Sequence, residues 1–171
     1  MKIQDAQTLI QKAFDAVKGA EYWADLGCGS GTFTYALANC LKGGSTIYAI
    51  DKQIPPLVPT NNVDIQCMGA DIEAIVFPNQ ELDGILMANS FHYIKNKNRL
   101  IQRLRFFLKS DGRFLIIEYD TNKSNRWVPF PITFHELLLL FKNNGYKKIE
   151  KIGERSSIFG SQKMYACVAE V

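Results

Sequence analysis

A chain of 171 residues, of which 47% are hydrophobic, can bury one sizeable core but is too short for two ordinary domains. Its net charge of +3 is too small to attract polyanions strongly. The first eight residues lack the pattern of a signal peptide, and no apolar run approaches the ~18 residues of a membrane span. We therefore expect a single cytoplasmic domain over residues 1–171 that does not enter a membrane, with its oligomeric state left open.

Two residue types exclude further classes of protein. The cysteines show neither the paired spacing of a zinc site nor the density of a disulfide scaffold, so we predict reduced thiols and no metal site. Basic residues cluster between Lys95 and Lys109, and Lys95, Arg99 and Arg103 share one predicted helix face. Most such faces are simply solvated, so nucleic acid is disfavoured as a partner.

The chain begins with a predicted amphipathic helix over residues 6–17, which Gly19 ends. Five short apolar stretches follow, and their lack of alternation favours buried strands: 22–26, 46–50, 63–68, 82–87 and 113–118. Helical patterns over 32–41 and 94–108 lie between strands, which predicts a parallel sheet. Prolines 55, 56 and 59 leave no room for a helix in the connection 52–62.

The C-terminal part is predicted to add one helix and two strands. Thr133 and Glu136 form a capping-box pattern before an apolar run, and the run 143–145 ends that helix. Strands at 146–152 and 163–170 can pair antiparallel through the connection 153–162.

The segment Asp25-Leu26-Gly27-Cys28-Gly29-Ser30-Gly31 leaves a buried strand and enters a helix. Glycines there permit a tight turn and let the backbone approach a ligand, although a tight turn without a ligand is the alternative. A dinucleotide fingerprint would need glycine at the sixth position from Gly27, where this chain has Thr32. The pattern Gly-x-Gly-x-Gly, with Asp25 upstream, resembles the first motif of the class I S-adenosylmethionine-dependent methyltransferases.

Two aspartates after later strands extend the pattern. Asp51 directly follows the second strand, where a carboxylate can accept from both ribose hydroxyls of an adenosine or act as an ordinary turn residue. Asp71 lies in Gly69-Ala70-Asp71-Ile72 after the third strand. The resemblance implies that Asp71 receives the adenine amino group and that the backbone of Ile72 contacts the ring. A helix or turn cap is the other interpretation of Asp71.

The run Ala88-Asn89-Ser90-Phe91-His92-Tyr93 ends the fourth strand, where open α/β sheets expose their ligand crevice. The resemblance implies that this run lies beside the sulfonium, with backbone acceptors for the methionine ammonium. His92 matches a histidine or aromatic position of the small-molecule members, and histidine suits proton transfer near neutral pH. A packed or capping histidine is an equal alternative.

The resemblance covers about 22–119 and implies an α/β fold: a Rossmann-like, doubly wound sheet of seven strands, mostly parallel with an antiparallel final strand. The stretch 108–113 resembles the family's turn before its fifth strand. Three features depart from the family or restrict its chemistry. The connection 52–62 lacks the usual helix, the substrate-covering insertions of larger members are absent, and no Asn-Pro-Pro-Tyr or Asp-Pro-Pro-Tyr occurs. The last absence disfavours amino-group methylation of nucleobases or glutamine by the route that uses this motif.

We predict an enzyme that transfers the methyl group of S-adenosylmethionine to a small-molecule acceptor, which the sequence does not identify. The expected cofactor-binding residues are Asp25, Gly27, Cys28, Gly29, Gly31, Asp51, Lys52, Asp71, Ile72, Ala88 and Asn89. His92 is the predicted catalytic base or orienter. The acceptor site is predicted to include His92, Tyr119, Arg126 and Trp127.

The segment 120–131, after the fifth strand, is predicted to overhang the methyl group and form a wall of the acceptor site. The alternative is that Trp127 and Phe130 fasten this long connection to the core. Two other functions also stay open. One is a catalytically silent cofactor-binding subunit that serves a partner, and the weaker one is an NAD-dependent oxidoreductase.

Overall fold

A computed structural model of the protein describes residues 1–16, 19–53, 56–77, 81–156 and 163–171. The strands are β1 (Tyr22–Leu26), β2 (Thr46–Asp51), β3 (Asp64–Gly69), β4 (Leu82–Ala88), β5 (Leu108–Tyr119), β6 (Lys148–Ser156) and β7 (Lys163–Glu170). The α-helices are α1 (Ile3–Ile10), α2 (Thr32–Cys40), α3 (Lys97–Arg105) and α4 (Phe134–Asn143). Short 3-10 turns lie at Gln11–Phe14 and Phe91–Tyr93.

One sheet contains all seven strands, in the order β3-β2-β1-β4-β5-β7-β6. Pairing is parallel from β3 through to β5, whereas β7 runs antiparallel to both of its neighbours. This arrangement confirms the predicted Rossmann-like α/β fold. The strand order reverses between β1 and β4, and open α/β sheets bind ligands outside the carboxyl ends of their strands at such a point.

Helices cover both faces of the sheet. Helices α1 and α2 pack on one face, and α3 and α4 pack on the other. On β1, Trp23 points toward α1 and α2, whereas Ala24 and Leu26 point toward α3 and α4. Burial on both faces explains the continuous apolar runs of β1, β4 and β5. The prediction of a buried strand at 63–68 is wrong in its burial, because β3 lies at the edge of the sheet and is mostly exposed. Gly84 of β4 lies opposite Trp23 of β1. A Cβ on Gly84 would collide with the indole ring.

Strand β5 begins earlier than predicted, because the stretch 108–113 belongs to the strand and not to a turn before it. Leu108 pairs with Leu82, and the next pair joins Arg113 to Gly84. Between these pairs, four residues of β5 face a single residue of β4. The expected turn is therefore a bulge inside the strand, which sequence periodicity does not distinguish from a turn.

Helix α3 is shorter than the predicted helix over 94–108. It starts at Lys97, because the side chain of Asn96 caps it by accepting a hydrogen bond from the backbone N–H of Arg99 at 3.0 Å. Residues 94–96, which were predicted to be helical, link α3 to the preceding 3-10 turn Phe91–Tyr93.

Helix α4 begins with the predicted capping box, in which Thr133 and Glu136 each accept from the other's backbone N–H. It ends before Gly145, which adopts a φ of +84°. At the N-terminus, α1 ends at Ile10 and a 3-10 turn follows, while the predicted helix end at Val17 lies outside the described residues.

The proline-rich connection has no helix in its described residues, 52–53 and 56–62, as predicted. Pro55 lies outside the described residues. Strand β6 extends past the predicted 146–152 to Ser156, so the predicted connection 153–162 begins inside the strand. The rest of that connection, 157–162, is not described.

Candidate functional site

A cavity of about 630 Å³ opens at the carboxyl ends of strands β1 to β4, where the strand order reverses. Ten of the eleven predicted cofactor-binding residues line it: Asp25, Gly27, Cys28, Gly29, Asp51, Lys52, Asp71, Ile72, Ala88 and Asn89. The eleventh, Gly31, lies behind the loop as the N-cap of α2 with a φ of +80°. Gly31 therefore shapes the loop instead of facing the cavity.

The glycine-rich loop is folded back tightly against β2. The backbone N–H groups of Gly27 and Cys28 both donate to the carbonyl of Ile50, at 2.7 and 3.1 Å. Gly27 and Gly29 adopt φ values of +84° and +51°, which favour glycine. A Cβ on Gly27 would collide with Ser90, whereas the space in front of Gly29 is open. Gly29 is thus the point where a ligand can approach the backbone.

Asp25, which lines this cavity, has one unsatisfied carboxylate oxygen. The side chain is fully buried, and Thr34 Oγ1 donates to its Oδ2 at 2.6 Å. Its Oδ1 is buried without a partner among the described residues, as is Oδ1 of Asn89. Burial raises the pKa of Asp25 to about 7, although the hydrogen bond from Thr34 opposes the shift. Both orphaned acceptors belong to residues that line the cavity, which marks this end as a site for a donor group.

At the other end of the cavity, the second and third aspartates are already engaged. Asp51 Oδ2 accepts from the backbone N–H of Gly29 at 2.9 Å. Asp71 Oδ2 pairs with Lys52 Nζ at 3.0 Å, and Asp71 Oδ1 accepts from the backbone of Glu73 at 2.9 Å. That backbone donor first, and Lys52 second, lower the pKa of Asp71. Asp71 is therefore both a turn cap and a cavity-lining residue, so the two interpretations from sequence are compatible.

His92 does not line the cavity. It is buried, its Nδ1 lies 2.7 Å from Oε2 of the buried Glu118, and its backbone N–H donates to Oε1 of Glu118 at 3.0 Å. The imidazole packs against the ring of Tyr93, with the centroids 4.4 Å apart. Tyr93 itself is half exposed and lines the cavity. The predicted base thus lies behind a tyrosine that faces the ligand space.

From the sequence we did not predict Glu118 as a partner of His92, and we placed Tyr93 in the run beside the sulfonium without giving it a role of its own. The signal for Glu118 was present, because a glutamate that ends a fully buried strand needs a partner. Tyr93 gave no comparable signal, since its exposure depends on the 3-10 turn Phe91–Tyr93, which the sequence placed only in the run that ends the fourth strand.

Side chains other than Trp127 fasten the segment 120–131 to the core. Trp127 is 71% exposed, so it does not fasten the segment to the core; the buried Val128 and Ile132 do. The backbone N–H of Phe130 donates to the carbonyl of His92 at 3.0 Å, which holds the segment beside the 3-10 turn. Lys97 Nζ reinforces this link by donating to the Phe130 carbonyl at 2.7 Å.

The predicted acceptor residues lie outside the cavity lining. Arg126 and Trp127 are exposed, with the guanidinium carbon 5.6 Å from the indole centroid. Tyr119 ends β5 and is half-buried, and burial, reinforced by the charge of Glu118, raises the pKa of Tyr119.

Two further features bear on the class of protein. Within the described ranges, no three His, Cys, Asp or Glu side chains come together as a metal ion would require. The longest described helix has 10 residues, and none has the length and hydropathy of a membrane span.

The reversal of strand order, the glycine loop and the three strand-end aspartates define a methyltransferase-type α/β domain. The sequence profile of the methyltransferase domain family matches residues 24–116, which is more than half of the chain. The protein therefore belongs to the class I S-adenosylmethionine-dependent methyltransferase family, and its cofactor is S-adenosylmethionine.

Solved structures share this fold at low sequence identity. An S-adenosylmethionine-dependent methyltransferase from Aquifex aeolicus is 16% identical with a TM-score of 0.66, over 100% of this chain and 99% of that one. The Burkholderia thailandensis 1,6-didemethyltoxoflavin-N1-methyltransferase, solved with 1,6-didemethyltoxoflavin and S-adenosylhomocysteine, is 15% identical with a TM-score of 0.71, over 98% and 77%. The [4+2]-cyclase SpnF is 14% identical with a TM-score of 0.67, over 98% and 80%. No curated protein gave a significant sequence match.

Proposed function

We propose that residues 1–171 form one domain that transfers a methyl group from S-adenosylmethionine to a small-molecule acceptor. The observation that carries this proposal is the buried, unpartnered oxygen of Asp25, which belongs to the cavity behind the glycine loop. A buried acceptor of this kind needs a donor, and the methionine ammonium of the cofactor supplies a cationic one.

The other cavity-lining residues fit the rest of the cofactor. Asn89 Oδ1 offers a second acceptor at the ammonium end, and the open space before Gly29 leaves room for the methionine part. Each oxygen of Asp51 accepts one backbone N–H, from Gly29 at 2.9 Å and from Gln53 at 3.3 Å, and each keeps a free lone pair for the ribose hydroxyls. Asp71 and Ile72 would hold the adenine, with Lys52 beside them.

The cofactor supplies a methyl group already activated by a sulfonium, so the protein mainly has to position the acceptor. Good positioning contributes on the order of 7–11 kcal/mol to lowering a barrier. In our proposal Tyr93 faces the acceptor, and the segment 120–131 holds it through Trp127 and Arg126. Tyr119 closes the side next to β5.

His92 and Glu118 would act together on the acceptor. A proton on Nδ1 facing Glu118 leaves Nε2 as the acceptor nitrogen of the ring, a tautomer that follows from the hydrogen bond. Glu118 would thereby fix the orientation of the imidazole, as carboxylates do for catalytic histidines. The pair then serves as the base that removes a proton from the acceptor, or it orients the acceptor through Tyr93.

Two alternatives have different support. SpnF has the same fold and is described as a [4+2]-cyclase, and a fold of this kind does not fix the reaction. A cofactor-binding protein without methyl transfer is therefore the second candidate. An NAD-dependent oxidoreductase is disfavoured, because a carboxylate buried beside the loop would repel a pyrophosphate once ionised.

Calorimetric titration with S-adenosylmethionine and with NAD is the first test, and we expect only S-adenosylmethionine to bind. Incubation with labelled-methyl S-adenosylmethionine and a metabolite extract, with and without cellular protein, is the second. Label in the small-molecule fraction supports the proposal. Cofactor binding without transfer in any mixture would favour the silent protein, and NAD binding would favour the oxidoreductase.

A further inference from the structure

The wall of the cavity formed by Asp71 and Ile72 is a single isolated turn. After β3, the backbone N–H groups of Ala74 and Ile75 donate to the carbonyl of Asp71, at 3.0 and 2.9 Å. One turn is too short to be stable alone, and carbonyls at the end of such a turn have no partner within it. Something outside the turn must therefore hold it in place.

Arg103 supplies the missing partners from helix α3. Its two terminal guanidinium nitrogens donate to the carbonyls of Ile72 and Ile75, both at 2.5 Å. The helix that carries it is itself fixed, since Leu100 and Leu104 are buried in the core. A planar guanidinium can hold two carbonyls at a set spacing, which a lysine ammonium cannot do in the same way.

The position of this turn sets the shape of the cavity. The Cδ1 atom of Ile72 lies 3.4 Å from the point where a Cβ on Gly27 would be, so the turn packs across toward the glycine loop. The pKa of Asp71 is lowered mainly by hydrogen bonds from the backbone of Glu73 and from the side chain of Lys52. The charge of Arg103 makes a smaller contribution in the same direction. Arg103 does not line the cavity, so it acts on a ligand only through the turn.

We propose that Arg103 is a positioning residue for the adenine of the cofactor, because it clamps the turn that presents Asp71 and Ile72. This inference rests on the proposed binding of S-adenosylmethionine in the cavity. It predicts that Arg103 controls how well the site recognises the adenine amino group, beyond any effect on stability.

The test compares S-adenosylhomocysteine with S-inosylhomocysteine, in which an oxo group replaces the adenine amino group. Calorimetry on the full chain should give at least a tenfold preference of the unmodified protein for the adenosyl ligand, since Asp71 accepts from the amino group and repels the oxo group. Arg103→Gln should weaken S-adenosylhomocysteine binding by about tenfold and bring the preference close to one. The preference of Arg103→Lys for the adenosyl ligand should lie between those of the unmodified protein and of Arg103→Gln.

Arg99→Gln is the matched control, because Arg99 lies one turn earlier on α3, is exposed, and undergoes the same change of charge. This variant should keep both affinity and preference.

Binding by the unmodified protein without a preference, or an unchanged preference in Arg103→Gln, would overturn the clamp. So would an equal loss for both ligands in Arg103→Gln together with a lower melting temperature, which indicates structural support alone. If Arg103→Gln does not fold, an unchanged preference in Arg103→Lys overturns the proposal. Failure of the unmodified protein to bind S-adenosylhomocysteine would instead reject the proposed function on which the clamp depends.

Discussion

Asp25 makes the stability of the free protein depend on pH. Its pKa is raised to about 7 by burial, compared with about 3.9 in an unfolded chain. Between these values the folded state keeps a proton that the unfolded state has lost, so stability falls as pH rises from about 4 to 7, by on the order of 4 kcal/mol. Urea unfolding of the protein and of Asp25→Asn across this range should show the decline only in the former. Equal slopes would contradict the raised pKa.

The same carboxylate predicts how cofactor binding depends on pH. In the proposed site the methionine ammonium pairs with ionised Asp25, so below pH 7 the protein would have to release a proton to bind. Affinity for S-adenosylmethionine should therefore rise about tenfold per pH unit up to about 7 and then level off. In Asp25→Asn the dependence should vanish, and affinity at pH 7.5 should be about ten- to a hundredfold weaker. Titrations between pH 5.5 and 7.5 measure both effects.

Gly29 and Gly145 allow the cost of backbone strain to be separated from a loss of ligand space. Both adopt a positive φ, and both have open space around them, but only Gly29 faces the cavity. Gly29→Ala and Gly145→Ala should each destabilise the protein by about 1–2 kcal/mol. Only Gly29→Ala should also lose affinity for S-adenosylmethionine. Equal binding by the two variants would remove Gly29 from the site.

The pairing of His92 with Glu118 predicts a loss of turnover without a loss of cofactor binding. Glu118→Gln keeps an acceptor for the His92 backbone but offers an amide N–H to Nδ1, which reverses the tautomer. Turnover with the acceptor found by labelled-methyl screening should fall about 100- to 10,000-fold, as it should in His92→Ala. Affinity for S-adenosylmethionine should change little. If affinity falls while turnover of the bound enzyme does not, the pair supports the cofactor site instead.

Segment 120–131 is the element whose role most needs a test, and Trp127 and Ile132 provide a pair of contrasting residues. Trp127 is largely exposed, whereas Ile132, just after the segment, is buried. Trp127→Ala should leave the melting temperature and cofactor affinity unchanged but raise the Michaelis constant of the acceptor. Ile132→Ala should destabilise by about 2–5 kcal/mol. A Trp127→Ala variant with unaltered acceptor kinetics would exclude this residue from the acceptor wall.

The elements predicted well from sequence were those specified by local chemistry. The apolar runs of the central strands, the capping box at Thr133 and the glycine loop each depend on neighbouring residues, so the pattern alone indicated them. The position of segment 120–131 depends on bonds from Phe130 to His92 and from Lys97 to Phe130, which join distant parts of the chain. The clamp from Arg103 is of the same kind. No spacing in the sequence encodes such contacts.

At the scale of the whole molecule, the contact between β1 and β4 joins the two halves of the sheet, and it depends on Gly84. Any side chain there meets the buried ring of Trp23. Gly84→Ala should destabilise the protein by at least about 1–3 kcal/mol in urea unfolding. Gly69→Ala, at the end of β3 with nothing near the new methyl group, is the control and should change stability little. Unchanged stability in Gly84→Ala would contradict the requirement for glycine opposite Trp23.

The strand order itself was expected only from the resemblance, because periodicity identifies strands without saying which of them are neighbours. The order has a clear effect on where chemistry lies along the chain. Every described residue that lines the cavity occurs at or before Ile94, whereas the proposed acceptor wall lies beyond Leu108.

In the proposed arrangement, the segment 120–131 of the acceptor site is therefore separate in sequence from the residues that line the cavity. New sequences between β5 and α4 can be tried, by evolution or by design, while the part of the chain that recognises the cofactor is inherited unchanged. A library restricted to residues 120–131 would therefore explore new methyl acceptors in a background where every member still binds the same donor.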